Sequence, residues 1–249
     1  MPTFQALLVF LIVWNASYYL APHSNSIRAQ IQTVALQLLL VLGSSLVASK
    51  LVNLRLRNVF KLRSSSARNL LFTLVATACL VFLLDEVNYL QSRFVVQPGH
   101  LHNEIERLLQ IHSLPQLIGL LFSMGIIPAI CEECLFRGYI LDRLSAGDNQ
   151  WRSIMMSSVL FGLFHRNLYV LLPATLSGIL LAFLVLRGGS LYNSIASHFV
   201  INVWGIAVSN SNISHYLPWV RQAQPLPYAV QGICLAGIFV AGRLLKKEG

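Results

Sequence analysis

Long apolar runs constrain the fold of this chain more than any other feature of its sequence. An α-helix rises 1.5 Å per residue, so about 20 apolar residues cross a hydrocarbon core about 30 Å thick. Of the 249 residues, 55% are hydrophobic and only 11% are charged, whereas soluble domains carry about 25% charged residues. We therefore expect an all-α fold, a polytopic membrane helix bundle with a polar intramembrane cavity.

Eight of these runs are candidate membrane spans. They lie at about residues 4–21, 32–49, 69–84, 116–141, 151–165, 171–186, 190–209 and 226–245. The fifth and sixth runs are short and flank the polar stretch HRNLYV, which predicts a broken hairpin that stops short of the far surface. The first run lacks the basic segment of a cleavable signal peptide, so we expect it to be a retained anchor.

The basic residues indicate topology rather than a nucleic-acid partner. The formal net charge is +9, but the lysines and arginines lie in short loops between the runs, not on one phosphate-gripping surface. Eight spans put both termini on one side, whose loops hold twelve of these residues against five on the other. By the positive-inside rule both termini are expected to be cytoplasmic, and the partner surface is the lipid bilayer.

Three ionisable residues lie inside the fourth run, in the segment AICEECLFRGYIL of residues 129–141. Each such side chain at bilayer depth costs about 2.5–3.5 kcal/mol, even on the lenient insertion scale. Glu133 and Arg137 are four residues apart and share one helix face, where a bidentate ion pair is expected. Glu132 is rotated by about 100° from Glu133, so it is free to face a different neighbour.

Polar residues recur at helical spacing in two later runs. His165 follows Phe161 by four residues in the fifth run, and Asn202 follows His198 by four in the seventh. Counted inward from the cytoplasmic side, Glu132, His165 and His198 lie roughly 12 to 21 Å deep at the helical rise. Each residue alone has a structural explanation as a packing or helix-joining side chain. Together they predict a single reaction centre.

The chemistry that these side chains can perform is peptide-bond hydrolysis. Glu132 with His165 could deprotonate a water for attack on a carbonyl carbon. His198 and Asn202 could donate hydrogen bonds to the oxyanion that forms as this carbon becomes tetrahedral.

The same residues resemble a known family. EECLFR, FGLFH and HFVIN follow the patterns EExxxR, FxxxH and HxxxN, in that order and on successive helices, as in the CPBP family of intramembrane proteases (CAAX protease and bacteriocin-processing). The resemblance implies that Glu132 activates water with His165, that Glu133 and Arg137 support it, and that His198 and Asn202 stabilise the oxyanion. It covers about residues 116–206.

The resemblance also implies a substrate class, and the apolar runs predict the domain organisation. Family members include type II CAAX prenyl endopeptidases, peptide-processing enzymes, bacteriocin-immunity proteins and proteases paired with carboxy-terminal sorting signals, so we expect a membrane-associated or C-terminally tagged protein substrate. One transmembrane domain would span residues 1–249. Residues 1–115 would hold the N-terminal helices and an amphipathic interfacial segment, residues 116–206 the catalytic core, and residues 207–249 the last helix. The expected location is the bacterial plasma membrane.

Three alternatives stay open at this stage. The two glutamates and two histidines could coordinate zinc, although the sequence has no HExxH motif. If zinc is not used, no cofactor is expected. Cys131 and Cys134 form a CxxC, but adjacent carboxylates disfavour a thiolate nucleophile. A non-catalytic immunity or transport protein could use the same polar residues as a relay, although no inverted repeat is evident. The sequence leaves the oligomeric state undetermined.

Overall fold

The computed structural model describes residues 2–20, 26–95, 108–146, 149–210, 217, 219–220 and 224–246. Nine helices lie within this part of the chain, and two of them contain π-helical turns. They are α1 (Pro2–Leu20), α2 (Ile27–Leu36, π-helical Gln37–Leu42, Gly43–Leu51), α3 (Leu56–Val59), α4 (Ala67–Phe94), α5 (Leu114–Leu120, π-helical Leu121–Ile126, Ile127–Glu133, π-helical Cys134–Ile140, Leu141–Leu144), α6 (Gln150–Phe164), α7 (Leu168–Gly188), α8 (Leu191–Asn210) and α9 (Tyr228–Leu244).

Apart from the short α3, each helix falls on one of the eight predicted runs. Five of them, α2, α4, α5, α7 and α8, are long and apolar enough to cross a membrane, and α1 and α9 are shorter apolar helices. Large apolar side chains are exposed on their outer faces, as a bilayer requires; Phe4, Leu39, Leu71 and Leu114 are examples. The prediction of an all-α polytopic membrane bundle is therefore confirmed.

The predicted broken hairpin is wrong for its second half. Helix α6 is short, with 15 residues, but α7 has 21 and is one of the full-length spans. The polar stretch HRNLYV extends α7 instead of shortening it. The Asn167 side chain accepts a hydrogen bond from the backbone N–H of Tyr169 and so caps the helix. As a result α7 begins three residues before the predicted start. Such a cap satisfies an otherwise unpaired backbone donor.

Helix α5 is widened where proline interrupts its hydrogen-bond ladder. Pro128 has no backbone N–H to donate to the carbonyl four residues earlier, and the π-helical turn Leu121–Ile126 lies directly before it. Neighbouring helices can satisfy the carbonyls that such a turn frees. The amide of Asn202 on α8 makes this contact, since its Nδ2 lies 3.4 Å from the carbonyl oxygen of Gly125.

Helix α5 packs against α1, α2, α6, α7 and α8. Leu135, Phe136, Tyr139 and Ile140 from its second π-helical turn are buried in the main hydrophobic cluster. The helix that carries both glutamates is thus surrounded on most of its faces, which removes them from lipid.

Two predictions are not tested by the structure. The predicted interfacial helix falls largely outside the described residues, which resume at residue 108, and the domain limits stay a prediction.

Candidate active site

The two adjacent glutamates of α5 have different surroundings. Glu133 is fully buried, whereas Glu132 keeps 6% of its surface exposed. Glu133 Oε1 accepts one hydrogen bond from Arg137 NH1 at 2.9 Å and another from His198 Nδ1 at 2.9 Å. Because Glu133 is held from two sides, Glu132 is the carboxylate with freedom to act on a ligand.

Arg137 is fully buried, and three neighbours accommodate its guanidinium. NH1 pairs with Glu133, NH2 lies 3.3 Å from the carbonyl oxygen of Gly178, and the central carbon lies 4.2 Å from the centroid of the Phe161 ring. The expected bidentate pair is therefore not formed: one arm of the guanidinium binds Glu133 and the other binds α7. The second arm is directed at the carbonyl of Gly178, so Glu133 Oε1 alone takes part in the ion pair.

His198 on α8 connects the two glutamates. A carboxylate can only accept, so the 2.9 Å contact with Glu133 places a proton on Nδ1 of His198. The opposite nitrogen, Nε2, lies 4.0 Å from Oε2 of Glu132, which is too long for a hydrogen bond. Glu133 thus fixes the orientation of the imidazole, and Nε2 is directed towards the same side as the Glu132 carboxylate.

Gln37 is a site residue that the sequence analysis missed. Its Nε2 donates a hydrogen bond of 2.9 Å to Oε1 of Glu132 from the π-helical turn of α2. The amide in the middle of the apolar run QTVALQLLLVLG was the available signal, because polar side chains in spans usually bind across helices. Glu132 therefore has one oxygen held by Gln37 and one that faces His198.

His165 lies at the C-terminal end of α6 and is exposed. Its Nδ1 lies 2.9 Å from the carbonyl oxygen of Phe161, so Nδ1 donates and Nε2 is unprotonated in the neutral ring. No hydrogen bond or ion pair joins His165 to Glu132 among the residues with described positions. Instead the Phe161 ring lies between the two imidazoles, with centroids 5.0 Å from His165 and 5.5 Å from His198.

A pocket of about 360 Å³ opens beside His165, lined in part by Trp14, Leu163, Arg166 and Asn167. Arg166 has a positive φ of 53°, which ends α6 directly after His165. Its guanidinium stacks 3.8 Å from the Trp14 ring centroid and donates to the Trp14 carbonyl. Arg166 and Asn167 thus both line this opening.

The donor set does not fit a metal ion. Within the described residues no group of three or more His, Cys, Asp or Glu side chains is arranged to hold one. Glu133 Oε1 accepts from Arg137 and His198, and no described hydrogen bond or ion pair joins His165 to either glutamate.

Comparison with known proteins supports the family resemblance that the three motifs indicate. Residues 114–204 match the model of a family described as "Type II CAAX prenyl endopeptidase Rce1-like". A relative from Bacillus subtilis (strain 168), named "Putative membrane peptidase YdiL", is 28% identical over 125 residues, which are 50% of this chain and 49% of the relative. The aligned segment thus spans about half the length of this curated relative. No solved structure gives a significant match. The predicted resemblance is therefore confirmed: the helices from α5 to α8 of this integral membrane protein are similar to the type II CAAX prenyl endopeptidases.

Proposed function

We propose that this chain is an intramembrane endopeptidase in which Glu132 activates the attacking water. The contact that carries this proposal is the hydrogen bond between His198 and Glu133, which holds an imidazole beside the free oxygen of Glu132. The family match and the peptidase relative support the reaction class. The bound partners of Glu133 support the division between a reacting and a supporting carboxylate.

The reaction proceeds by addition and elimination. Glu132 Oε2 takes a proton from water as the water oxygen bonds to the carbonyl carbon of the scissile peptide. The carbonyl oxygen becomes an oxyanion, which accepts hydrogen bonds from His198 Nε2, when this ring is protonated, and from the Asn202 amide. The carbon–nitrogen bond then breaks, and Glu132 returns its proton to the leaving amine nitrogen.

Gln37 and Arg137 act through the two glutamates in this scheme. Gln37 keeps Oε1 of Glu132 in place, so that Oε2 is the oxygen presented to water. Arg137 keeps Glu133 charged and directed at His198 Nδ1. For His165 to act as the second base on the water, as the motifs predict, the Phe161 ring that contacts both imidazoles would have to move aside.

The substrate class that fits best is a membrane-associated protein or peptide with a CAAX-type C-terminus. The support is the family match over the helices that carry the site and the position of these helices within the membrane bundle.

A cleavage assay tests the proposal. The purified protein in lipid vesicles is given a farnesylated CAAX peptide, and its products are followed by mass spectrometry. We expect Glu132→Gln to reduce turnover by about 100-fold or more, with an unchanged melting temperature. Asp142→Asn, the same exchange of a carboxylate for an amide at the partly exposed end of α5, serves as the matched control. Full turnover by Glu132→Gln would contradict the proposal and favour a non-catalytic immunity protein. The same assay with a chelator present is expected to give unchanged turnover.

A further inference from the structure

A second cavity lies between α4, α7 and α9. It has a volume of about 640 Å³, and most of its lining is apolar, including Leu80, Leu176, Leu180 and Ile238. None of these side chains belongs to the site proposed above. The apolar walls suit a hydrocarbon chain better than a polar ligand.

Two arginines stand at one end of this cavity. Arg187 lies in the last turn of α7 and Arg243 in the last turn of α9. Both are exposed, and neither forms an ion pair with an acidic side chain of the described residues. The Arg243 guanidinium lies 5.1 Å from the centroid of the Phe239 ring, which also lines the cavity. Two unneutralised positive charges therefore mark one end of an apolar groove.

The length of the groove matches one leaflet of a bilayer. Leu176 and Arg187 both line it and are eleven positions apart on the same helix, or about 16 Å at the helical rise. Half of a hydrocarbon core about 30 Å thick is about 15 Å. An acyl chain that reached Leu176 would thus place its headgroup level with the arginines.

We propose that this groove binds one anionic phospholipid, with an acyl chain along Leu176, Leu180 and Ile238 and the phosphate between Arg187 and Arg243. Basic pockets between transmembrane helices are known to take lipid headgroups. A zwitterionic headgroup has no net charge and would leave the charge of the two cationic side chains unneutralised. A headgroup with a net negative charge neutralises part of it. This site is independent of the proposed peptidase activity.

Native mass spectrometry tests the proposal. The whole protein is mixed with defined lipids in detergent, and the lipids that it retains after release from the detergent are identified. We expect one phosphatidylglycerol to be retained in preference to phosphatidylcholine. In the double variant Arg187→Gln, Arg243→Gln, the preference for phosphatidylglycerol over phosphatidylcholine should fall by about tenfold or more. Glycerol phosphate alone should not be retained, because it has no chain to fill the groove.

Arg57→Gln is the matched control, since Arg57 is exposed but does not line the groove. It should keep the preference of the unchanged protein. Equal retention of the two lipids by the unchanged protein would overturn the proposal. So would a double variant that retains phosphatidylglycerol as well as the control does, or retention of glycerol phosphate. Melting temperatures of the three proteins establish that they are equally folded.

Discussion

Nε2 of Gln37 lies 2.9 Å from Oε1 of Glu132, although 95 positions separate the two residues in the chain. The contact joins a widened turn of α2 to the helix that carries both glutamates. It fixes one oxygen of the proposed catalytic carboxylate, so the rotation of this carboxylate is limited. The relationship gives Gln37 a positioning role that can be tested.

Gln37→Leu should lower turnover of the cleaved peptide by about 10-fold to 100-fold. A hydrogen bond to a charged group is worth about 1.5–3 kcal/mol, and each 1.36 kcal/mol changes a rate about tenfold. Steady-state kinetics measure the effect, which should fall on kcat more than on KM because Gln37 orients Glu132 rather than the substrate. Gln32→Leu, at an exposed position on the same helix, should leave both constants unchanged. A Gln37→Leu protein with normal kcat would remove Gln37 from the mechanism.

Arg137→Met should destabilise the protein by about 3–5 kcal/mol, since it leaves Glu133 charged and buried without its partner. The double variant Glu133→Gln, Arg137→Met should be more stable than Arg137→Met alone, because no uncompensated charge remains. Thermal unfolding in detergent gives the comparison. If the double variant were less stable than Arg137→Met, the uncompensated charge of Glu133 would not be the source of the lost stability.

Gly178→Ala should destabilise the protein by about 1–3 kcal/mol through overpacking. A methyl group there would lie 3.0 Å from Ser158 Cβ, 3.1 Å from Ser158 Cα and 3.2 Å from Arg137 NH2. Gly205→Ala is the control, as a methyl group at that helical position meets nothing within 4 Å. It should stabilise the protein by about 0.5–1 kcal/mol, the usual gain from replacing glycine in a helix. Equal melting temperatures for the two variants would contradict the close approach of α6 and α7.

Cys131→Ala should leave turnover within about twofold of the unchanged protein. Cys131 is fully buried and lies beside the two carboxylates, a setting in which a thiolate is disfavoured. The same peptide assay measures turnover, and iodoacetamide treatment of the unchanged protein provides a second readout. Loss of activity in both experiments would assign the reaction to a thiol.

Local relationships were predictable from the sequence, and distant ones were not. The pair of Glu133 and Arg137 follows from a spacing of four residues on one helix, and it forms, although with one arm of the guanidinium instead of the predicted two. The partner of Glu132 could not be chosen in this way, because Gln37 comes from another helix and no pattern sets the rotation of α2 against α5. The same limitation applies to Gly178, whose carbonyl takes the second arm of Arg137. The roles of the six predicted site residues stay predictions.

Both members of the buried pair of Glu133 and Arg137 belong to the same helix, which has a consequence for biogenesis. The pair can form as soon as this segment becomes helical, before the later spans α6 to α9 have been synthesised. Helix α5 can therefore leave the translocon with these two charges already neutralised, whereas Glu132 depends on α2, which is made earlier, and on α8, which is made later, to shield it from lipid.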